Sequence, residues 1–301
     1  MKKINLFPFF SLILLSCYDS CDGNSDSRTA ILSNDQHIKL MSLKMSHVQP
    51  IEVEFEVLKE KNYSSGITNI AHNIGMGSVP VLNQGSEGTC VTFSSTAALD
   101  ALLNQGDFIS QQCSLELDLG LGQNYWDGAD EPSQIIDPLK QYGVVKNGDC
   151  DNLYPCTSCT LSPTDYISRV DSAGSAQIAL VQYSFSSQAN LTALQSAIDA
   201  GHRVLIAFHL QNNQLAVQGF NAVVNGQMML GGLWACQQPS SKKNFCGASN
   251  AGHEVLVIGY DDDQQLLLIR NSWGSSVGDS GNYYMTYAYF NAQVENQTEV
   301  W

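Results

Sequence analysis

The chain has 301 residues, of which 44% are hydrophobic and only 14% charged, enough apolar material for one large domain or two medium ones and too much for wholesale disorder. Acidic residues outnumber basic ones 29 to 14, a formal charge of −15 that argues against gripping nucleic acid or an anionic membrane surface through charge. After the N-terminus no apolar run reaches the length of a bilayer span, which excludes a multi-span membrane protein.

The chain opens with the basic Met1-Lys2-Lys3, an apolar run from Ile4 to Leu15, and Ser16-Cys17. A charged start, a short apolar core and a small residue before the break read as an export signal over residues 1–17, not as a membrane-spanning helix. Leu14-Leu15-Ser16-Cys17 also resembles the lipobox of bacterial lipoproteins, which would make Cys17 the lipidated N-terminus; the alternative is ordinary signal cleavage nearby. A polar stretch from Asp22 to Asp35 reads as a tether or linker. From Ile51 to Val57 apolar and acidic residues alternate, the pattern of an amphipathic strand.

Val79-Pro80-Val81-Leu82 leads into a small polar loop, Asn83 to Thr89, with glycines at 85 and 88. A helix is predicted from about Cys90 to Leu103, ended by Asn104 and Gly106. A second runs from about Pro132 to Tyr142, capped by Asp130, lined by Ile135, Ile136 and Leu139, and ended by Gly143. A third spans about Leu191 to Ala200 and stops at Gly201. The pattern then changes: Arg203–Leu210, Gly219–Val224, Glu254–Tyr260, Gln265–Arg270 and Asn282–Tyr289 all read as strands. Helices first and strands later predict an α+β protein with two segregated halves.

Nine cysteines fit an exported, oxidising setting. Cys156 and Cys159 have the spacing of a zinc knuckle or redox pair, but a four-ligand zinc site wants a second close pair, and Cys236 and Cys246 are too far apart to supply it. Structural disulfides are the expectation: Cys236–Cys246 closing one loop, two of Cys150, Cys156 and Cys159 pairing, and Cys113 joining the third. Spacing alone leaves the connectivity open.

Cys90 sits where the polar loop turns into a helix, and the positive end of a helix favours thiolate over thiol. His253 opens a strong strand in Ala251-Gly252-His253-Glu254-Val255, and Asn271 ends the next one in Arg270-Asn271-Ser272-Trp273-Gly274. Cys–His–Asn in that order, with Gln84 six residues before the cysteine, resembles the papain-like cysteine peptidases over about Val79 to the C-terminus. The resemblance implies a two-lobed α+β fold, a helical lobe at about 78–180 and a β-barrel-like lobe at about 181–301, with the cleft between them. It implies a cysteine-type endopeptidase that works through a thioester acyl-enzyme. Cys90 would be the nucleophile and His253 the imidazole that stabilises its thiolate and protonates the leaving amine. Asn271 would orient that ring, Gln84 would form the oxyanion hole with the Cys90 N–H, and Trp273 would shield the His–Asn bond from water. The other five histidines, His37, His47, His72, His202 and His209, lack this context and read as structural or exposed. No metal or organic cofactor is implied. The expected partner is a peptide or protein substrate, with no nucleic acid, no membrane contact beyond a lipid on Cys17, and a monomeric chain in the periplasm, on the bacterial outer membrane or secreted.

The sequence departs from the family pattern in several places. The nucleophile lies in Thr89-Cys90-Val91-Thr92-Phe93 where the family has Ser-Cys-Trp-Ala-Phe, and Glu87 stands where the family has a half-cystine. Val277 replaces the second tryptophan of the Asn-Ser-Trp-Gly motif. The family's Cys-x-Gly-Gly substrate loop is not evident, though Asn124 to Gly128 lies near its place. Residues 18–77 read as a linker plus a short propeptide or N-terminal arm, and Leu233 to Asn250 as an extra loop before His253. The same fold also serves transpeptidases and amidases, and a tethered binding protein with a relic cleft is a rival of another class; an intact Cys90, His253, Asn271 and Gln84 set argues against the latter.

Overall fold

The computed structural model describes the backbone of residues 28–32 and 36–40, and residues 66–210, 219–236 and 252–301 in full. The strand expected over Ile51–Val57, and His47, Cys17 and Cys246, lie outside these residues. Within the stretch expected as a linker, β1 (Arg28–Leu32) pairs antiparallel with β2 (Gln36–Leu40), which carries His37. The segment Thr29 to Leu32 is apolar enough to favour extended pairing over a solvated coil.

The first half is helical. α1 (Cys90–Leu103) forms over the predicted span and is buried on almost every side, as its near-continuous run of small and apolar residues requires. Asn104 ends it in the left-handed conformation, at φ 54°. α2 (Gln111–Gly120) is capped by Ser110, whose hydroxyl accepts the Cys113 N–H. It went unpredicted because its buried positions include Gln111, Gln112, Glu116 and Asp118, which carry no apolar period. α3 (Ser133–Tyr142) buries Ile135, Ile136 and Leu139 and ends at Gly143 as expected. Asp130 does not cap it; its own N–H donates to Gln134 instead. Short helices α4 (Pro163–Ile167) and α5 (Ser172–Ile178), capped by Ser162 and Asp171, complete this half.

The second half is built on a sheet. Its strands are β3 (His72–Asn73), β4 (Tyr183–Ser186), β5 (Arg203–His209), β6 (Phe220–Val224), β7 (Gln227–Trp234), β8 (Gly252–Asp261), β9 (Leu266–Arg270), β10 (Asn282–Thr286) and β11 (Val294–Val300). They run in the order β4-β11-β5-β8-β9-β10-β7-β6, with β3 added beside β8. Helices α6 (Leu191–Asp199) and α7 (Tyr287–Gln293) lie in the same half of the chain. The strand expected to continue to Tyr289 stops at Thr286, whose hydroxyl accepts the Tyr289 N–H and starts α7. Leu233 and Trp234 belong to β7 and not to a loop; Ala235 and Cys236 follow it, and residues 237–250 of that expected loop lie outside the described residues.

β8 is buried on both faces, and its alternation divides two cores. Leu256 and Ile258 pack with α1 residues such as Cys90, Ala98 and Leu99, joining helix to sheet. Val255 and Val257 face the other way, toward Phe208, Trp234 and Trp273. Gly259 lets β3 approach: a Cβ there would meet the His72 carbonyl oxygen at 2.4 Å. Among the described residues no helix is long and apolar enough to cross a membrane.

Disulfides Cys113–Cys150 and Cys156–Cys159 form, one of the pairings that spacing left open for that cluster. Cys236 is disulfide-bonded. His72, His202 and His209 pair with Asp199, Glu299 and Glu295.

Candidate active site

The loop before α1 is pinned from two directions. Its Gln84 N–H donates to the Ser272 carbonyl at 2.9 Å, the Gly274 N–H donates back to Leu82 at 3.0 Å, and Asn83 bridges Trp273. Gly85 turns the chain at φ 61°, and its N–H donates to the Asn83 side chain. These contacts bring the residues ahead of Cys90 to the segment after β9, although some 180 residues separate them in sequence.

From the helical half, the Tyr154 hydroxyl donates to the Gln84 carbonyl at 2.7 Å. A phenol has one hydrogen, so the 2.9 Å contact between Tyr154 and Thr89 makes the Thr89 hydroxyl the donor there. Tyr154 also stacks on Trp126 and meets Phe93 edge-on, and the Trp126 carbonyl accepts the Gly88 N–H. The Asn124–Gly128 segment therefore packs directly against the loop before Cys90.

Cys90 is buried, unbonded to another cysteine and the first residue of α1. Thr89 makes no side-chain cap, which leaves the first-turn N–H groups of Cys90 and Val91 to face the Cys90 sulfur. His253 enters near the start of β8, opposite Phe208 of β5. Its Nε2 lies 2.8 Å from Asn271 Oδ1. The Ser272 N–H donates to the same Asn271 atom at 2.8 Å, which identifies it as the oxygen. Nε2 therefore carries the hydrogen, and the neutral ring keeps its lone pair on Nδ1. Trp273 stacks on the imidazole with ring centroids 4.5 Å apart and planes 22° apart, while Phe208 and Trp234 contact it edge-on. Gln84 is buried; its Oε1 accepts the Ser272 hydroxyl at 2.6 Å and one N–H donates to the Glu87 carbonyl at 2.9 Å. Its second amide N–H remains available as a donor.

Burial controls the charge state. It pushes the Cys90 thiol up to about 12, helped by the Glu254 carboxyl; the backbone N–H groups of Glu254, Val91 and Cys90 pull the other way and do not prevail. Burial lowers His253 to about 4 against the opposing bond to Asn271. Desolvation thus opposes the thiolate that the helix N-terminus and these backbone N–H groups favour. Burial therefore works against charge on both the thiol and the imidazole, while Asn271 holds the ring in one orientation.

The structure brings His253, Asn271 and Trp273 into one stacked unit and ties Gln84 to it through Ser272. Cys90 stands beside the Glu254 backbone, one residue from His253. Sequence reasoning missed Tyr154, Ser272 and Glu254. Only Glu254 left a signal, as the lone charge in an apolar strand from His253 to Tyr260. For a metal, the described residues offer Cys113, Glu116 and Cys150 together, but both sulfurs are spent in a disulfide.

Residues 177–300 match the family model described as papain family cysteine protease, the stretch that carries His253 and Asn271. The chain is 27% identical over 218 residues to the thiol protease aleurain of Arabidopsis thaliana, covering 68% of this chain and 52% of that protein. It is 25% identical over 283 residues to cysteine proteinase 1 of Entamoeba histolytica, covering 91% and 76%. It is 25% identical over 210 residues to pro-cathepsin H of Mus musculus, covering 68% and 55%. The chain spans about half the length of most of the curated relatives it matches. Among solved structures, digestive procathepsin L 3 of Tenebrio molitor superposes with a TM-score of 0.51 at 16% identity, over 86% of this chain and 75% of that one. That likeness shows a papain-like fold, and the sequence matches support a papain-family cysteine peptidase domain.

Proposed function

We propose that the protein is a cysteine-type endopeptidase that cleaves peptide or protein substrates through a thioester. The observation that carries this reading is the oriented His253 ring, its hydrogen held on Nε2 by Asn271 and its Nδ1 left free, in the residue next to the backbone N–H that meets Cys90. Cys90 Sγ attacks the substrate carbonyl carbon as its proton passes to His253 Nδ1. The negative charge that develops on the carbonyl oxygen is met by the free Gln84 amide N–H and the Cys90 backbone N–H. His253 then gives its proton to the departing amine nitrogen as the C–N bond breaks, which leaves an acyl group on sulfur. Water, deprotonated by the same ring, hydrolyses the thioester and restores the thiol. Trp273 keeps water from the His253–Asn271 bond throughout.

In this reading residues 78–301 are the peptidase domain, with a helical lobe at about 78–180 and a β lobe at about 181–301. Residues 1–17 are an export signal with Cys17 as lipid carrier, and 18–77 a linker and short propeptide or N-terminal arm. A monomer working in the periplasm or at the bacterial outer membrane fits the disulfides Cys113–Cys150 and Cys156–Cys159, which need an oxidising compartment.

Brief treatment of the purified protein with an epoxide-type cysteine peptidase inhibitor, followed by mass spectrometry, tests the site. A single adduct on Cys90 is expected, absent in Cys90→Ala and lost in His253→Ala. An adduct that survives His253→Ala would remove the imidazole from the mechanism, and peptide hydrolysis by Cys90→Ala would remove the nucleophile.

A further inference from the structure

Glu254 is buried behind the nucleophile, and none of the roles above uses its side chain. It follows His253 on β8, so its side chain points to the opposite face, into the seam between β8 and α1. Only 1% of it is exposed. Its Oε1 lies 2.6 Å from Ser94 Oγ, and its Oε2 is buried without a hydrogen-bond partner. Ser94 Oγ also lies 3.2 Å from the carbonyl of Val91, the residue after Cys90.

A serine hydroxyl has a single hydrogen. With an ionised carboxylate, Glu254 and the Val91 carbonyl would compete for it. With a neutral acid, the Glu254 O–H donates to Ser94 Oγ, the Ser94 hydrogen goes on to the Val91 carbonyl, and both contacts are made. The relay then runs without a break from the strand of His253 to the first turn of the helix of Cys90. Burial favours the same form and raises Glu254 to about 8 against the opposing Ser94 hydrogen bond, with Glu131 adding to the rise.

We propose that Glu254 is a positioning residue for the Cys90 chemistry: as a neutral acid joined to Ser94 it locks the start of β8 onto α1, and it must keep its proton for the Cys90 thiolate to form. This rests on the peptidase reading for its purpose, not for its test. The ionisable groups acting on the site are few. Cys90 on α1 and Glu131 ahead of α3 interact with Glu254 electrostatically. β5 presents Ala207 opposite it, His209 of that strand is paired with Glu295, and Arg270 of β9 donates to Asn282. On β8 itself, His253 faces the other core and bonds Asn271.

The test is the rate of Cys90 alkylation by iodoacetamide in the full chain, followed by mass spectrometry across neutral and alkaline pH. In the wild type the rate stops climbing once Glu254 ionises. E254Q keeps a neutral donor to Ser94, so it should match the wild type within about twofold near pH 6.5 and exceed it about tenfold near pH 9. Coincident alkaline profiles would overturn the proposal, as would a loss of more than about tenfold in E254Q near pH 6.5. Stability in urea gives a second readout that needs no reactive thiol. Wild-type stability should fall with rising pH up to the ionisation of Glu254, and E254Q should flatten that fall; an unchanged slope also overturns the proposal. Neither measurement uses a substrate. Both profiles as expected with no peptide cleaved would defeat the peptidase reading alone, and cleavage with coincident profiles would defeat this one alone.

Discussion

At the scale of single residues, the site is decided by where hydrogens can go. Ser272 donates its N–H to Asn271 Oδ1, which fixes the amide, which fixes the imidazole tautomer. Gln84 is held the same way, its Oε1 occupied by the Ser272 hydroxyl so that its NH2 group is the end left to donate. Gln84→Ala should therefore lower kcat by on the order of 10²–10³ while Cys90 alkylation by a small reagent keeps its rate. Steady-state kinetics alongside alkylation kinetics check this, and an unchanged kcat would take Gln84 out of the oxyanion hole. Tyr154→Phe keeps the stacking on Trp126 and Phe93 but removes the donor to the Gln84 carbonyl. It should cost about 1 kcal/mol of stability and, on the peptidase reading in which that loop carries the oxyanion donors, reduce kcat more than it changes KM. A change confined to KM would place Tyr154 with substrate binding instead.

At the scale of elements, the site depends on how α1 and β8 are kept in register. α1 was legible because its apolar and small residues form a continuous buried run ended by Asn104, and β8 because Val255 to Ile258 are four strand formers in a row. α2 was not, because a helix that buries Gln112 and Glu116 is made possible only by partners elsewhere: Gln112 bonds Glu116 and both the N–H and the carbonyl of Cys156. Elements remote from the site should affect stability alone. Asn190 caps α6 by accepting the Ala193 N–H at 2.9 Å. Asn190→Ala should destabilise by about 1 kcal/mol in urea titration with kcat intact. A comparable loss of kcat would show that α6 is coupled to the cleft.

At the scale of the whole molecule, buried acids set the pH response. Burial raises Asp100, Asp118 and Glu254 to about 8 in the folded state, from ordinary values near 4. Between those limits the native state binds more protons than the unfolded one, so stability falls as pH rises. His253, lowered to about 4, acts in the opposite sense, losing stability as pH falls below its ordinary value of 6.5. Three carboxyls against one imidazole predict a urea midpoint that drops from mildly acidic to mildly alkaline pH. A midpoint that rises over that range would mean the carboxyls are ionised in the fold.

The sequence by itself determined the order of helical and strand-rich halves, and it singled out Gln84, Cys90, His253, Asn271 and Trp273 as one candidate constellation, while leaving open which cysteines of the Cys113–Cys159 cluster pair. The first follows from periodicity, a local property, and the second from the resemblance of separated motifs in chain order to a known family. Tertiary structure alone decided that Ser272 holds the Gln84 side chain, that Tyr154 donates to the Gln84 carbonyl, and that burial opposes charge on Cys90 and His253. Those outcomes depend on desolvation and on hydrogen-bond partners up to 188 residues away, as between Ser272 and Gln84, and no local pattern in a chain encodes which distant groups will exclude its water.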